Sequence, residues 1–266
     1  MDIFSHTFSG LAIGATAIHF SNKEFSYNSI LVLTCGVAAF FPDLDVISQW
    51  SGFDAYFGKW FDLQDSGKII YHQKRWFSHH ALFHSLLMAC SFTGLVFVFF
   101  KLFSRKEKLL KVFMLNKVFL IAVFSAYLIH LLEDMPTPDF VWGGIALLFP
   151  SENYWGGKGY IWWWNNYDLF LIIVSVFVIN LLVKFSAFVF KFGSSKMAAF
   201  ILLLGVSFYL RQMLTRPYDF NYSSMKQHHE VWQINELKSK EIQKEILGDD
   251  LYRLMESLDN SIPFWF

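Results

Sequence analysis

Residues 116–134 read NKVFLIAVFSAYLIHLLED: a continuous apolar run that carries a histidine and a carboxylate at its far end. About 20 mostly apolar residues cross a bilayer as a helix, so this stretch predicts a membrane span that delivers His130 and Asp134 to one membrane boundary. Working outward, residues 82–103, 168–190 and 197–214 meet the same criterion, and the shorter runs 7–20 and 28–42 together make an antiparallel hairpin across the bilayer. The expected fold is all-α, a polytopic bundle of about six spans. A further run, Phe140 to Pro150, is too short to cross and contains Gly143 and Gly144, so it predicts a re-entrant or interfacial half-helix. The segment MDIFSHTF carries no Lys or Arg, which argues against a cleaved signal peptide starting there.

Composition agrees with a membrane protein. Of 266 residues, 55% are hydrophobic, 20% aromatic and only 17% charged, with a mean hydropathy of +0.36. Soluble domains carry about 25% charged residues. Lys+Arg and Asp+Glu both number 22, which supplies no basic excess for nucleic acid. Cys35 and Cys90 both sit in apolar runs and give neither a disulfide framework nor a cysteine zinc site.

Lys and Arg concentrate in cytoplasmic loops. With six spans, one side receives residues 21–27, 101–117 and 184–196, which hold 10 Lys/Arg in 37 residues; the other receives 5 in 76. The dense side is expected to be cytoplasmic, so both termini and the 46–80 loop face the periplasm or exterior of the inner membrane. The aromatic cluster Tyr154, Trp155, Tyr160, Trp162, Trp163 and Trp164 suits the headgroup belt on that outer side. Three regions are expected: a membrane core over 1–150, further spans with an aromatic interfacial loop over 151–217, and a tail over 218–266. The tail is polar with apolar residues at helical spacing, which predicts two short extramembrane helices broken at Gly248, the second capped by Asp249 or Asp250.

Ionisable groups in or beside apolar segments are costly and mark function. Here they are His6 before the first span, Asp43 and Asp45 closing the second, His79, His80 and His84 opening the third, and His130 and Asp134 closing the fourth. Topology from Lys/Arg and chemistry from His/Asp are independent, and they place all of these at one face. His80 and His84, like His130 and Asp134, are four apart and share one face of a helix. Imidazole and carboxylate donors without thiolate suit zinc, with manganese the alternative, and the number of ligands suits two or three ions. By itself PDLD is a common turn, and HxxxD a common intramembrane pair; the constellation carries the reading. His19 and His72 read as hydrogen-bonded or interfacial residues, and His228 and His229 as a solvated pair.

These motifs resemble the YdjM-like membrane-bound metal-dependent hydrolases: an N-terminal His, PDxD, S-H-R-G-x-T-H-S, Y-L-x-H-x-x-x-D-x-x-T-P and a terminal W/F-P. Here they stand as His6, Pro42-Asp43-Leu44-Asp45, Ser78-His79-His80-Ala81-Leu82-Phe83-His84-Ser85, Tyr127-Leu128-Ile129-His130 with Asp134, Thr137-Pro138, and Phe149-Pro150. The match covers roughly residues 1–150, and no motif can be placed in 151–266. His80, Ala81 and Phe83 replace the family's Arg, Gly and Thr, which removes an Arg-assisted phosphate contact and makes His80 an extra candidate ligand. The family is similar to zinc phospholipase C and zinc-dependent single-strand nucleases, which implies a three-zinc centre and phosphoester hydrolysis.

The expected activity is a metal-dependent phosphoesterase that acts on a lipid or lipid-linked substrate at the outer face through metal-activated water. His6, Asp43, Asp45, His79, His84, His130 and Asp134 would hold metal. Asp43 or Asp45 would orient the water as general base. Ser85 and Thr137 are candidates to orient ligands. Lys74, Arg75 and Lys158 are candidates for a phosphate headgroup or for lipid anchoring. Membrane lipids are the expected partners, and the tail's own partner is open. Two rivals are a metal-ion transporter, which needs ligands near the midplane and on both sides of it, and a non-catalytic protein whose closed metal site staples the helices. No HExxH is present for an intramembrane metalloprotease.

Overall fold

In the computed structural model the described residues are 1–74, 78–139, 143–191, 193–216, 219–221 and 228–262. They form an all-helical protein with no β-strand among them, only isolated bridges at Pro138–Lys158 and Ile145–Trp155. The elements are α1 (Ile3–Ala17), α2 (Phe25–Phe40) running into a 3-10 helix (Phe41–Gln49), a short α3 (Gly67–Tyr71), α4 (Leu86–Phe103), α5 (Leu109–Asp134), α6 (Tyr167–Phe190), α7 (Ser195–Leu214) and α8 (His228–Ser261). Among the described residues five helical segments are long and apolar enough to cross a membrane: Phe25–Gln49, α4, α5, α6 and α7. The sixth expected run is α1, at 15 residues about 23 Å long. It is shorter than the others and packs among α2, α5, α6 and α7.

Small residues place α1. Gly10 and Gly14, four apart, let it lie directly on α2: a Cβ at Gly10 would stand 2.3 Å from the Cys35 carbonyl oxygen, and one at Gly14 2.7 Å from Val32 Cα. Close approach through small residues four apart is how helices associate in lipid, where no hydrophobic force draws them together. Ala38, Ala39, Ala122 and Ala126 continue the tight seam between α2 and α5. The Asp2 side chain caps α1, accepting from the Ser5 backbone N–H at 2.8 Å and from its hydroxyl at 2.7 Å. Large apolar side chains such as Leu95, Phe103, Leu110, Phe188 and Phe200 point outward, as lipid-facing surfaces require.

Consecutive long helices alternate in direction, so α1, α4 and α6 start at the end of the bundle where α2, α5 and α7 finish. α8 lies over that same end. Its Glu236 accepts from Trp162 Nε1 at 2.9 Å, Trp164 Nε1 at 2.7 Å and Asn165 Nδ2 at 2.6 Å. Gly248, at φ 73° and ψ 167°, interrupts the helix at the expected break. There Asp249 lies 3.3 Å from Lys244 Nζ.

Two expectations need correction. Residues 143–150 are turns rather than part of a half-helix; Phe140 to Trp142 lie outside the described residues. Gly143 and Gly144 sit at φ 76° and 102°, which no helix uses, and Ile145 and Trp155 exchange backbone hydrogen bonds at 2.8 Å. The aromatic loop is not simply a headgroup belt: Trp162 is fully buried, because Trp232, Ile242 and Phe220 close over it. Trp155 does remain half exposed.

Candidate metal centre

The seven expected ligands converge at one end of the bundle. His6 comes from the first turn of α1, Asp43 and Asp45 from the 3-10 helix after α2, His79 and His84 from the loop before α4, and His130 and Asp134 from the last turns of α5. Among the described residues three donor sets have ligand atoms within 4.8 Å of one another: His79/His80/His84, His6/His130/Asp134 and Asp43/His84/His130. The second and third sets share His130, and the first and third share His84, so they form one continuous cluster. Asp45 joins it through His79 Nδ1 at 2.8 Å and His84 Nδ1 at 3.2 Å.

Local geometry aims these side chains. In the 3-10 helix Pro42, Asp45 and Ser48 recur every three residues and are buried, which turns Asp45 inward. Asp43 lies beside them, with Oδ1 3.8 Å from both His84 Nε2 and His130 Nε2. On α5, His130 and Asp134 meet at 3.0 Å, as their spacing predicts. His130 Nδ1 donates to the Ala39 carbonyl at 2.7 Å, which leaves Nε2 facing the cluster.

His80 and His84 come together for a different reason than helical spacing. Residues 78–85 are a tight turn with His80 at φ 65° and only a 3-10 turn over Leu82–His84, yet the two rings lie 4.7 Å apart. The His80 backbone carbonyl accepts from Ala146 N at 2.7 Å, and its Nδ1 lies 3.1 Å from the Gly144 carbonyl. Burial, with the neighbouring His79 and His84, holds the His80 pKa well below the usual imidazole value, so the ring is neutral as a ligand must be.

Unpaired buried atoms test whether the site fits a cation. Asp43 Oδ2, Asp45 Oδ2, Asp134 Oδ2 and His84 Nδ1 are buried without a hydrogen-bond partner of acceptable geometry, although several lie close to one another. Asp134 Oδ2 is 3.0 Å from His130 Nε2, and His84 Nδ1 is 3.2 Å from Asp45 Oδ2. Buried polar groups ordinarily find partners. Four buried donor atoms without well-aligned hydrogen bonds, on three carboxylates and a histidine gathered together, fit divalent cations.

Sequence reading missed Glu133. It is buried, accepts from His6 Nδ1 at 2.9 Å and from the Ser9 hydroxyl at 2.5 Å, and so leaves His6 Nε2 facing Asp134 Oδ1 at 3.0 Å. A carboxylate one residue before Asp134 in a membrane span was itself the available signal. Partners of this kind tune metal affinity about 10–100-fold. Glu133→Gln is expected to weaken metal retention by that factor in a chelator titration while the protein remains folded; unchanged retention would remove Glu133 from the site. Tyr71 was missed too: its ring stacks on His79 at 4.8 Å and 9°.

Other candidates fall elsewhere. Ser85 caps α4 through Met88 N at 3.2 Å, and donates to the Leu82 carbonyl rather than orienting a ligand. Thr137 donates to the Asp134 backbone carbonyl at 2.7 Å. Lys74 Nζ sits over the Tyr154 ring at 4.6 Å, Lys158 is exposed, and Arg75 lies outside the described residues. His19 is buried far from the cluster, bonded to Ser194 Oγ at 2.6 Å and the Asn180 carbonyl at 3.0 Å. His72 is a surface residue with Nδ1 2.8 Å from the Lys68 carbonyl, and the side chains of His228 and His229 lie outside the described residues.

The family model described as YdjM inner membrane protein matches residues 1–217, which carries the similarity well past the motifs that end at Pro150. No curated protein and no solved structure matches the chain.

Proposed function

The chain belongs to the YdjM inner membrane protein family, and from that premise we propose that it is a membrane-embedded metal-dependent hydrolase, a phosphoesterase acting on a lipid or lipid-linked substrate. The observation that carries the reading is the convergence of Asp43, Asp134, His6, His79, His80, His84 and His130 into linked sets of donor atoms within 4.8 Å of one another, with Asp45 held by two of the histidines. His6, Asp43, Asp45, His79, His84, His130 and Asp134, with His80 as an eighth donor, would hold two or three ions, zinc first and manganese second. When bound, such ions supply Lewis acidity at a phosphoryl oxygen and activate water for attack.

The chain's own groups divide the remaining work. Asp43 is the most accessible carboxylate of the cluster, 14% exposed at its side chain against 0% for Asp45 and 2% for Asp134. Asp43 is therefore the carboxylate positioned to take a proton from attacking water. Asp45, held by His79, serves as a ligand. Glu133, the Ala39 carbonyl and the Gly144 carbonyl hold the rings of His6, His130 and His80 in orientation. A transporter would need donors along the bundle, whereas His19, the buried histidine at the other end, is committed to Ser194 and Asn180.

The charge distribution supports an orientation with the centre on the periplasmic side. A reporter fused after Phe266 is expected to be active only outside the cytoplasm, and a cytoplasmic signal reverses the topology. The central test is elemental analysis of detergent-purified protein prepared without chelator, followed by turnover assays on phospholipids and polyprenyl phosphates. Two or three ions per chain and metal-dependent release of phosphate or a phosphorylated headgroup are expected. Absence of stoichiometric metal would end the hydrolase reading.

A further inference from the structure

The 3-10 helix that carries the carboxylates has two faces of opposite character. Inward go Pro42, Asp45 and Ser48; outward, on the same nine residues, go Leu44, Val46 and Ile47, all exposed. The outward face continues into an aromatic ridge in which Trp50 stacks on Tyr56 at 5.5 Å and 12°, with Trp60 beyond. Tyr56 is 66% and Trp60 77% exposed. The ridge is a built element rather than a loose loop. Phe53 is buried at its base, the Asp54 carboxylate accepts from Gly67 N at 2.6 Å, and a Cβ on Gly67 would stand 2.1 Å from the Ser48 carbonyl oxygen.

What covers this face follows from its continuity with the bilayer-spanning surface. α2 has 16 residues, about 24 Å, which is short of the roughly 30 Å hydrocarbon core. The apolar segment continues through Gln49, and at about 2 Å per residue the first turn of the 3-10 helix brings it to that thickness, so the 3-10 helix completes the span. Leu44, Val46 and Ile47 thus fall where acyl chains end, and Trp50, Tyr56 and Trp60 where headgroups begin, the zone these aromatic residues favour. Lys59 and Lys68 flank the ridge with charges suited to anionic lipid.

We propose that residues 44–61 are embedded in the interfacial layer of the bilayer and that a phosphoester lipid reaches the metal centre sideways from the leaflet, past Leu44 and Ile47 to the opening at Asp43 and His79. These two ligands are the partly accessible ones, at 14% and 15%. The substrate route deepens the proposed function and rests on it; the membrane contact does not.

Spin labels at Ile47→Cys and, separately, Trp60→Cys, in a Cys90→Ser background that removes the exposed native thiol, test the contact. The full chain is reconstituted in nanodiscs of phosphatidylethanolamine and phosphatidylglycerol, and label collisions with oxygen and with a water-soluble nickel chelate are compared. Leu95→Cys on the lipid side of α4 and Glu152→Cys on an exposed loop set the two limits. Oxygen-dominated collision at 47, as at 95, and a value at 60 between the limits set by 95 and 152 are expected. Nickel-dominated collision, as at 152, overturns the proposal, as does a label shielded from both reagents, which would mean a protein surface covers the ridge. Lipid-embedded labels in a protein that turns over no lipid phosphoester would leave the contact standing and remove the hydrolase reading.

Discussion

Asp134→Ala is expected to release the bound metal and abolish turnover. Among the three carboxylates of the centre it meets the most histidines, His6, His84 and His130. Oδ1 faces His6 Nε2 at 3.0 Å and the Met1 ammonium at 2.5 Å, while Oδ2 faces His130 Nε2 at 3.0 Å and His84 Nε2 at 3.4 Å. Removing it takes an anionic donor from one set of candidate ligands and the common neighbour from the two histidines that link the sets. Groups that merely orient a ligand are worth about 10–100-fold in metal affinity; a donor shared across the cluster should exceed about 100-fold. Asp134→Asn separates charge from shape. It keeps an acceptor for His6 but loses the anionic oxygen, so metal content measured by elemental analysis should fall nearly as far as in the alanine variant. Full metal occupancy in Asp134→Asn with normal turnover would remove Asp134 from the ligand set.

The sequence made the spans and the cluster legible because both rest on local patterns. Twenty apolar residues read the same wherever they pack, and His130 and Asp134 share a helix face whatever surrounds α5. Long-range packing was less legible. His80 and His84 look like a helical pair by spacing, yet Ala146 and Gly144 hold the His80 backbone and ring in a left-handed turn. Gly143 and Gly144 suggest a re-entrant or interfacial half-helix by sequence; Gly144 instead allows the backbone to approach Trp155, since a Cβ there would lie 2.2 Å from its carbonyl oxygen. Trp162 sits in a stretch rich in interfacial residues, and Phe220 together with Trp232 and Ile242 of α8 buries it. Glu133 went unassigned because its partner, His6, lies 127 residues away. Gly10 and Gly14 had a readable signature in their spacing, and they bring α1, with His6, against α2, which delivers Asp43.

A second buried charge ties the membrane core to α8, and breaking it should cost the most stability. Asp168, at the start of α6, is 5% exposed and accepts from Arg216 Nη2 and from Gln243 Nε2 at 3.0 Å. Arg216 also donates to Asn166 Oδ1 at 2.9 Å, and Gln243 accepts from Asp168 N at 3.0 Å. Arg216 follows α7 within the residues matched by the family, whereas Gln243 belongs to α8 beyond them. Arg216→Met would leave the Asp168 carboxylate in a dry site with no counter-charge, at a cost of about 3–5 kcal/mol. Thermal unfolding in detergent should show a fall of several degrees, with earlier exchange of α8 amides. Charge, rather than lost contacts, is the cause if Arg216→Met with Asp168→Asn recovers most of the loss, because replacing both ions of a buried pair is often nearly neutral. A double variant as unstable as the single one would show that the guanidinium acts through packing, and a single variant within about 0.5 kcal/mol of the parent, the range of ordinary surface changes, would show that the pair does not hold α8 to the core.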